Sequence, residues 1–311
     1  MLDYAQKTAI QNAIHDSLGY SPSLDKIEAT PVFQRFPTAK KDRLDGYFRV
    51  YQFGKFTTCH FGDWSRGISF DWKDGSQDGN RLSERERENI RRTFQEEQKQ
   101  EEERKLRAIE NHRKFFSSLP HADSIGVLHP YLMKKCLRKS YVAKYNRLDD
   151  TLLFPFVDSR GAFKGYESIS ITGRKKIAKD SMKKGSFLIL NPNRDNSSIL
   201  FACEGYATGI TISEAMKKKV IVCIDAGNLT EGIRSATTYL KVSPERVFIV
   251  ADNDTNRKGE TEAQKACDSL GCHYLLTPGE GMDANDYACS YGLTALTRFL
   301  QGAIKNERFR D

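Results

Sequence analysis

Six acids stand where apolar runs of the C-terminal third give out. Glu204 closes SSILFACE, Asp225 closes VIVCID, Asp252 and Asp254 follow RVFIVA, and Asp283 and Asp286 come after CHYLLTP. Carboxylate oxygens are the hard ligands that Mg²⁺ and Mn²⁺ accept, usually one or two per ion with waters and substrate phosphates filling the rest. Such an ion polarises a phosphoryl oxygen and orients an attacking hydroxyl, so the chemistry to expect is phosphodiester formation or cleavage. The Asp252-Asn253-Asp254 spacing sharpens this. In an extended segment residues i and i+2 face the same side, and two carboxylates there repel one another unless a cation lies between them.

Elements that could bring these acids together are legible around them. The apolar runs alternate with helical segments: ATGITISEAMKKK, LTEGIRSATTYLK, ETEAQKACDSLG and a final ANDYACSYGLTALTRFL. Near-continuous apolar strands alternating with helices predict an α/β fold, a four-stranded parallel sheet flanked by helices. In such sheets ligands bind beyond the carboxyl ends of the strands, where the acids fall.

Upstream, TLLFPFVDSRG, FKGYESISI and GSFLIL read as a meander of short strands, with Arg174, Lys175, Lys176 and Lys184 among or just after them. LHPYLMKKCLRKSYVAKYNRLDD carries Lys134 and Lys135 in a basic run, and a positive patch beside a catalytic module suits backbone phosphates. Residues 82–118 are mixed-sign charges without Pro or Gly, which predicts a long solvated helix. Residues 31–72 alternate aromatics, Phe33, Phe36, Tyr47, Phe48, Phe61 and Trp64 among them, with Arg35, Lys40, Lys41, Arg43, Arg49, Lys55 and Arg66. Glycine turns punctuate that run, so it reads as a small antiparallel sheet. Its rings are either the sheet's own core or a surface for stacking bases. The expected organisation is an aromatic β module over 1–80, a linker helix over 81–118, a basic mixed α+β subdomain over 119–195, and the parallel-sheet domain over 196–311.

The chain of 311 residues is 39% hydrophobic and 29% charged, an ordinary globular balance. No run approaches a membrane span and the N-terminus lacks a signal pattern, so a cytoplasmic location and no membrane partner are expected. A net charge of +8 favours a polyanionic partner. Seven cysteines include no CxxC pair, so reduced thiols are expected rather than zinc ligands.

FACEGYATG, VIVCIDAGNL, RVFIVADND and GMDANDY together resemble the Toprim domain of primases, topoisomerases and some nucleases, most nearly the plasmid- and phage-type primases. The resemblance covers roughly residues 125–290, since HPYLMKK and the strands of 151–190 are similar to the segment that precedes Toprim in those proteins. It implies that Glu204 serves acid/base chemistry or metal binding, that Asp252 and Asp254 bind Mg²⁺ or Mn²⁺, and that Asp286, rather than Asp283, supplies the further acid. It implies a phosphate-facing role for Lys175, Lys176 and Lys184. Lys134, Lys135, Arg174 and Asn228 complete the candidate nucleotide- or nucleic-acid-binding set. The primase reading implies single-stranded DNA and nucleoside triphosphates as substrates, in a plasmid, phage or mobile element. No P-loop GxxxxGK[ST] is present, so any replicative helicase is expected in trans. A Toprim nuclease and a non-catalytic nucleic-acid-binding accessory protein are the alternatives.

Overall fold

Asp3 starts the first element. Its carboxylate accepts from Gln6 N at 2.8 Å while Gln6 Oε1 accepts from Asp3 N at 3.1 Å, a reciprocal cap that opens helix α1, Tyr4–Leu18. Ile10, Ile14 and Leu18 fall on one face at fourfold spacing and are buried. They pack on a four-stranded antiparallel sheet in sequential order, β1 Thr30–Phe36, β2 Gly46–Phe53, β3 Phe56–Asp63 and β4 Ile68–Lys73. Phe36, Phe48, Val50, Cys59 and Phe61 point toward α1 and form its core. The alternate residues Phe33, Tyr47, Arg49 and His60 therefore lie on the opposite face, as the period of two requires.

The computed structural model describes residues 2–38, 43–53, 56–74, 84–191 and 199–307. Lys40, Lys41 and Lys55 lie outside them. The chain divides into two compact units, Met1–Gln98 and Lys99–Asp311, and helix α2, Glu84–Ser118, runs through the division. In the second unit Arg104 pairs with Asp180 at 2.5 Å and His112 Nε2 lies 2.7 Å from the Lys179 carbonyl. Among the described residues, no helix is long and apolar enough to cross a membrane.

The second unit holds two sheets. After the short helix α3, Pro130–Lys134, strands β5 Lys144–Asn146, β6 Thr151–Val157, β7 Phe163–Ser170 and β8 Lys175–Ile177 pair antiparallel in sequence order. The other sheet contains β9 Leu188–Leu190, β10 Leu200–Cys203, β11 Val220–Val222, β12 Val247–Ala251 and β13 His273–Leu276. Helices α4 Tyr206–Met216, α5 Leu229–Leu240 and α6 Lys258–Leu270 connect its parallel strands, and α7 Ala284–Tyr291 and α8 Leu293–Glu307 follow.

The four parallel strands expected are joined by a fifth, antiparallel one, in the order β13-β12-β10-β11-β9. GSFLIL, read from sequence as the last strand of the upstream meander, supplies β9 and pairs antiparallel with β11 through Leu188↔Val222 and Leu190↔Val220. All three β11 residues are buried, and β9 covers what would otherwise be an open apolar edge. Phe187 just before β9 exchanges backbone hydrogen bonds with Val157 at the end of β6, at 2.9 and 3.0 Å, which joins the two sheets.

β10 lies between β11 and β12. The chain therefore leaves β10 toward one side through α4 and returns past it through α5. Ile210 and Ile212 of α4 share a core with Leu296 and Leu300 of α8 and with Leu152 and Ile169 of the antiparallel sheet. Ile233 of α5 and Ala263 of α6 fill the core on the other face. The reversal puts a crevice at the carboxyl ends of β10 and β12, the place where ligands enter open α/β sheets.

Candidate active site

Glu204 and Asp252 are the first residues beyond β10 and β12, so the fold places them side by side at that reversal. A cavity of about 510 Å³ opens over them. Both sheets line it: Glu204, Asp225, Asp252 and Asp283 from the parallel side, Glu167 and Lys175 from the antiparallel side, and Lys134 and Lys135 at α3. Gly259, in the first turn of α6, fixes how closely the acids approach. A methyl there would sit 2.7 Å from the Asp252 carbonyl oxygen, 3.0 Å from Glu204 Oε1 and 3.4 Å from Asp252 Cβ. Only a residue without Cβ lets α6 press onto both.

Two acids of the cavity, Asp225 and Asp283, have partners. Asp225 pairs with Lys183. Asp283 caps α7 by accepting from Asp286 N at 2.8 Å and lies 3.8 Å from Lys135 Nζ. Asp286 is turned onto Lys135 at 2.8 Å. Burial works against the Lys135 ammonium, but Asp286 and Asp283 outweigh it and hold its pKa above the ordinary lysine value. Glu204 Oε1 and Asp252 Oδ1 differ: both are buried without a hydrogen-bond partner among the described residues. Burial first, then the negative charges of Asp254 and Asp225, push Glu204 up to about 7. Burial first, then Glu204 and Asp283, push Asp252 up to about 8.

Orphaned buried carboxylate oxygens with mutually repelling charges are what a divalent cation relieves. Among the described residues, no group of three or more His, Cys, Asp or Glu could by itself hold a metal ion. The donor set thus fits Mg²⁺ held by two carboxylates with water and phosphate oxygens, and does not fit a closed protein cage.

Asp283, not Asp286, lines the cavity, because Asp283 is the cap of α7 while Asp286 is one turn on and spent on Lys135. Asp254 is exposed and outside the lining, and it acts on Glu204 through its charge. Asn253 between the two aspartates is a clip: its Nδ2 donates to Thr277 O at 3.0 Å and its backbone bonds Met282 and Gly281, which ties the DND turn to the loop ahead of Asp283. Lys175 reaches in far enough that a Cβ on Gly205 would meet its Nζ at 3.3 Å. Arg174, Lys176 and Lys184 are exposed and do not line the cavity.

Asn228 is a correction. It is buried and its amide is fully engaged: Oδ1 accepts from Gly185 N at 2.8 Å, and Nδ2 donates to Ser186 O and Cys223 O at 2.8 and 2.9 Å. Nothing remains for a nucleotide. It pegs the turn ahead of β9 to the end of β11. Asn228→Ala is expected to strand three backbone groups and cost roughly 3 kcal/mol of stability, read as a lower urea midpoint.

Glu167 and Ile224 also line the cavity, though neither stands among the candidate residues of the sequence. Glu167 is buried in β7; burial raises its pKa, with Lys175 opposing and Asp225 adding to the rise. Ile224 holds φ +76° while Asp225 N donates to Cys223 O at 2.9 Å, a tight γ-turn that β-branched residues rarely adopt. This turn aims Asp225 into the cavity.

Residues 199–293 match the Toprim domain family. They are a Toprim domain. The resemblance seen in the sequence holds for this segment, which contains Glu204, Asp252, Asp254 and Asp286. Two DNA primases TraC from Escherichia coli are each 28% identical, over 163 and 154 residues, or 49% and 46% of this chain. The matches span 15% and 10% of those relatives' own lengths. The Aquifex aeolicus primase, comprising its zinc-binding and RNA polymerase domains, aligns with a TM-score of 0.47 at 14% identity, covering 95% of this chain and 85% of that one. The Toprim-bearing chain is thus primase-like in sequence.

Proposed function

We propose that the chain is a primase, joining ribonucleotides into short primers on single-stranded DNA at the Toprim cavity. The observation that carries the reading is a pair of half-buried carboxylates, Glu204 and Asp252, each with one buried oxygen that lacks a partner among the described residues, facing Lys175 of the neighbouring sheet and Lys134 at α3. A bound Mg²⁺ or Mn²⁺ would supply charge neutralisation at the reacting phosphate and lower the pKa of the attacking hydroxyl. Glu204 and Asp252 would hold it. Lys175 and Lys134 face the same space and bind phosphate oxygens of template or nucleotide. Asp225, held by Lys183, and Asp283, held near Lys135, set the walls and keep the negative potential centred on the two orphans. Nucleoside triphosphates and single-stranded DNA are the substrates, with any helicase acting in trans.

The test gives the full chain single-stranded DNA, labelled nucleoside triphosphates and Mg²⁺ or Mn²⁺. Short labelled products support the primase. Cleavage of the DNA without nucleotides moves the same site to nuclease chemistry. Neither product, with DNA binding intact, overturns catalysis and leaves an accessory protein.

A further inference from the structure

In the first unit, α1 covers one face of the sheet β1–β4, and that face holds the core. An antiparallel sheet with one covered face ordinarily turns polar residues outward on the other. Here the outer face carries Phe33, Tyr47 and Trp64, and two of these rings are substantially exposed, Phe33 at 41% and Trp64 at 45%. The rings form one group. Tyr47 and Trp64 stack with centroids 4.2 Å apart at 24°, and Phe33 meets Tyr47 edge-on at 5.2 Å and Trp64 at 6.0 Å. Gly62 opposes Tyr47 across β2 and β3, and a Cβ there would strike Tyr47 Oη at 2.6 Å, so the glycine lets the ring lie flat as a floor.

Two arginines complete the face. The Arg35 guanidinium stands 4.5 Å over Trp64, and that of Arg49 4.6 Å over Phe33. Among the described residues neither has a carboxylate partner. Asp71, at the margin, is engaged by His60 Nδ1 at 2.8 Å. Exposed rings beside unpaired planar cations are complementary to a chain that alternates flat bases with phosphates. Aromatic rings and arginines also occur together in protein–protein interfaces, but two cations with no acid beside them on the described face match the repeated negative charge of a phosphate backbone.

We propose that this outer face is a single-stranded nucleic-acid platform, separate from the Toprim cavity and independent of the catalytic reading. Bases stack on Phe33 and Trp64, and Arg35 and Arg49 take the phosphates. The cation–π contact of an exposed arginine is weak, so Arg35 can swing to a phosphate as a base replaces it over the indole, the stronger stack.

The test uses the full chain in EDTA with labelled oligothymidylate, followed by anisotropy. Trp64→Ala and Phe33→Ala are each expected to weaken binding about tenfold, and Arg49→Gln to weaken it and flatten its salt dependence. A Trp72→Phe background isolates Trp64 fluorescence, which the stacked base should quench; this reading needs no platform variant to fold. Oligouridylate that competes equally supports a platform for either sugar, and one that fails to compete assigns it to DNA. Unchanged affinity in the folded ring variants, or saturation without quenching, overturns the proposal. So does self-association that Trp64→Ala abolishes while oligonucleotide binding persists, which would give the face to a second copy.

Discussion

Glu204→Gln and Asp252→Asn are each expected to abolish primer synthesis, by about 10³-fold or more, while making the metal-free protein more resistant to heat at pH 8. The loss follows from charge. Each amide keeps the volume of the carboxylate it replaces but cannot neutralise a cation, and one missing preorganised charge at a phosphoryl centre is worth that order of rate. The gain in stability follows from burial. Each carboxylate has an oxygen shut away from water without a partner, and its neighbours are negative. The folded protein favours the neutral form of both, and the amides are permanently neutral. Primer assays and thermal melts in EDTA on the same preparations check the pair of effects. Variants that keep primer synthesis would remove the catalytic site from this cavity. Variants that lose activity and melt lower than wild type would make the two acids structural.

The acids at strand ends were legible because a parallel α/β sheet announces itself in alternating apolar and amphipathic runs, and such sheets bind at their carboxyl edge. Glu204 and Asp252 could be chosen on that ground. The choice between Asp283 and Asp286 could not, since both follow the same strand and only the start of α7 decides which one caps the helix and which meets Lys135. Asn228 stands in the candidate binding set, but its three hydrogen bonds go to backbone groups up to 43 residues away, which no local pattern announces. GSFLIL reads as a strand, but a short apolar run carries no mark of the sheet it joins. Gly259 left no signal, since the helical pattern reads from Glu260 and only the structure starts α6 at Lys258. The aromatic module gave two readings because alternation assigns rings to two faces without saying which face a helix will cover. The structure divides them, Phe36, Phe48 and Phe61 inward, Phe33, Tyr47 and Trp64 outward.

Mg²⁺ is expected to raise the melting temperature strongly at pH 8.5 and barely at pH 6. Glu204 moves from an ordinary 4.5 to about 7 and Asp252 from 3.8 to about 8, burial being the main cause in both. Between those limits the folded protein holds protons that the unfolded chain has released, so stability falls as pH rises. The favourable contribution of the neutral acids is complete below about pH 4, declines above it, and is gone once pH has passed about 8. In EDTA the wild type should therefore melt lower at pH 8.5 than at pH 6 by the share these two groups supply, and Asp252→Asn should lose much of that slope. A cation must displace the same protons to bind. Below pH 7 it competes with them, and above pH 8 it meets two bare carboxylates whose repulsion it cancels. Its stabilisation grows with the ratio of concentration to dissociation constant, so the Mg²⁺-induced shift should climb through this window and then level off. Primer synthesis should rise over the same range. A Mg²⁺ shift that is equal at pH 6 and pH 8.5, or that survives in Glu204→Gln and Asp252→Asn alike, would place the ion elsewhere on the protein. A shift that follows the window and disappears in both variants ties metal, charge and burial to the one crevice between β10 and β12.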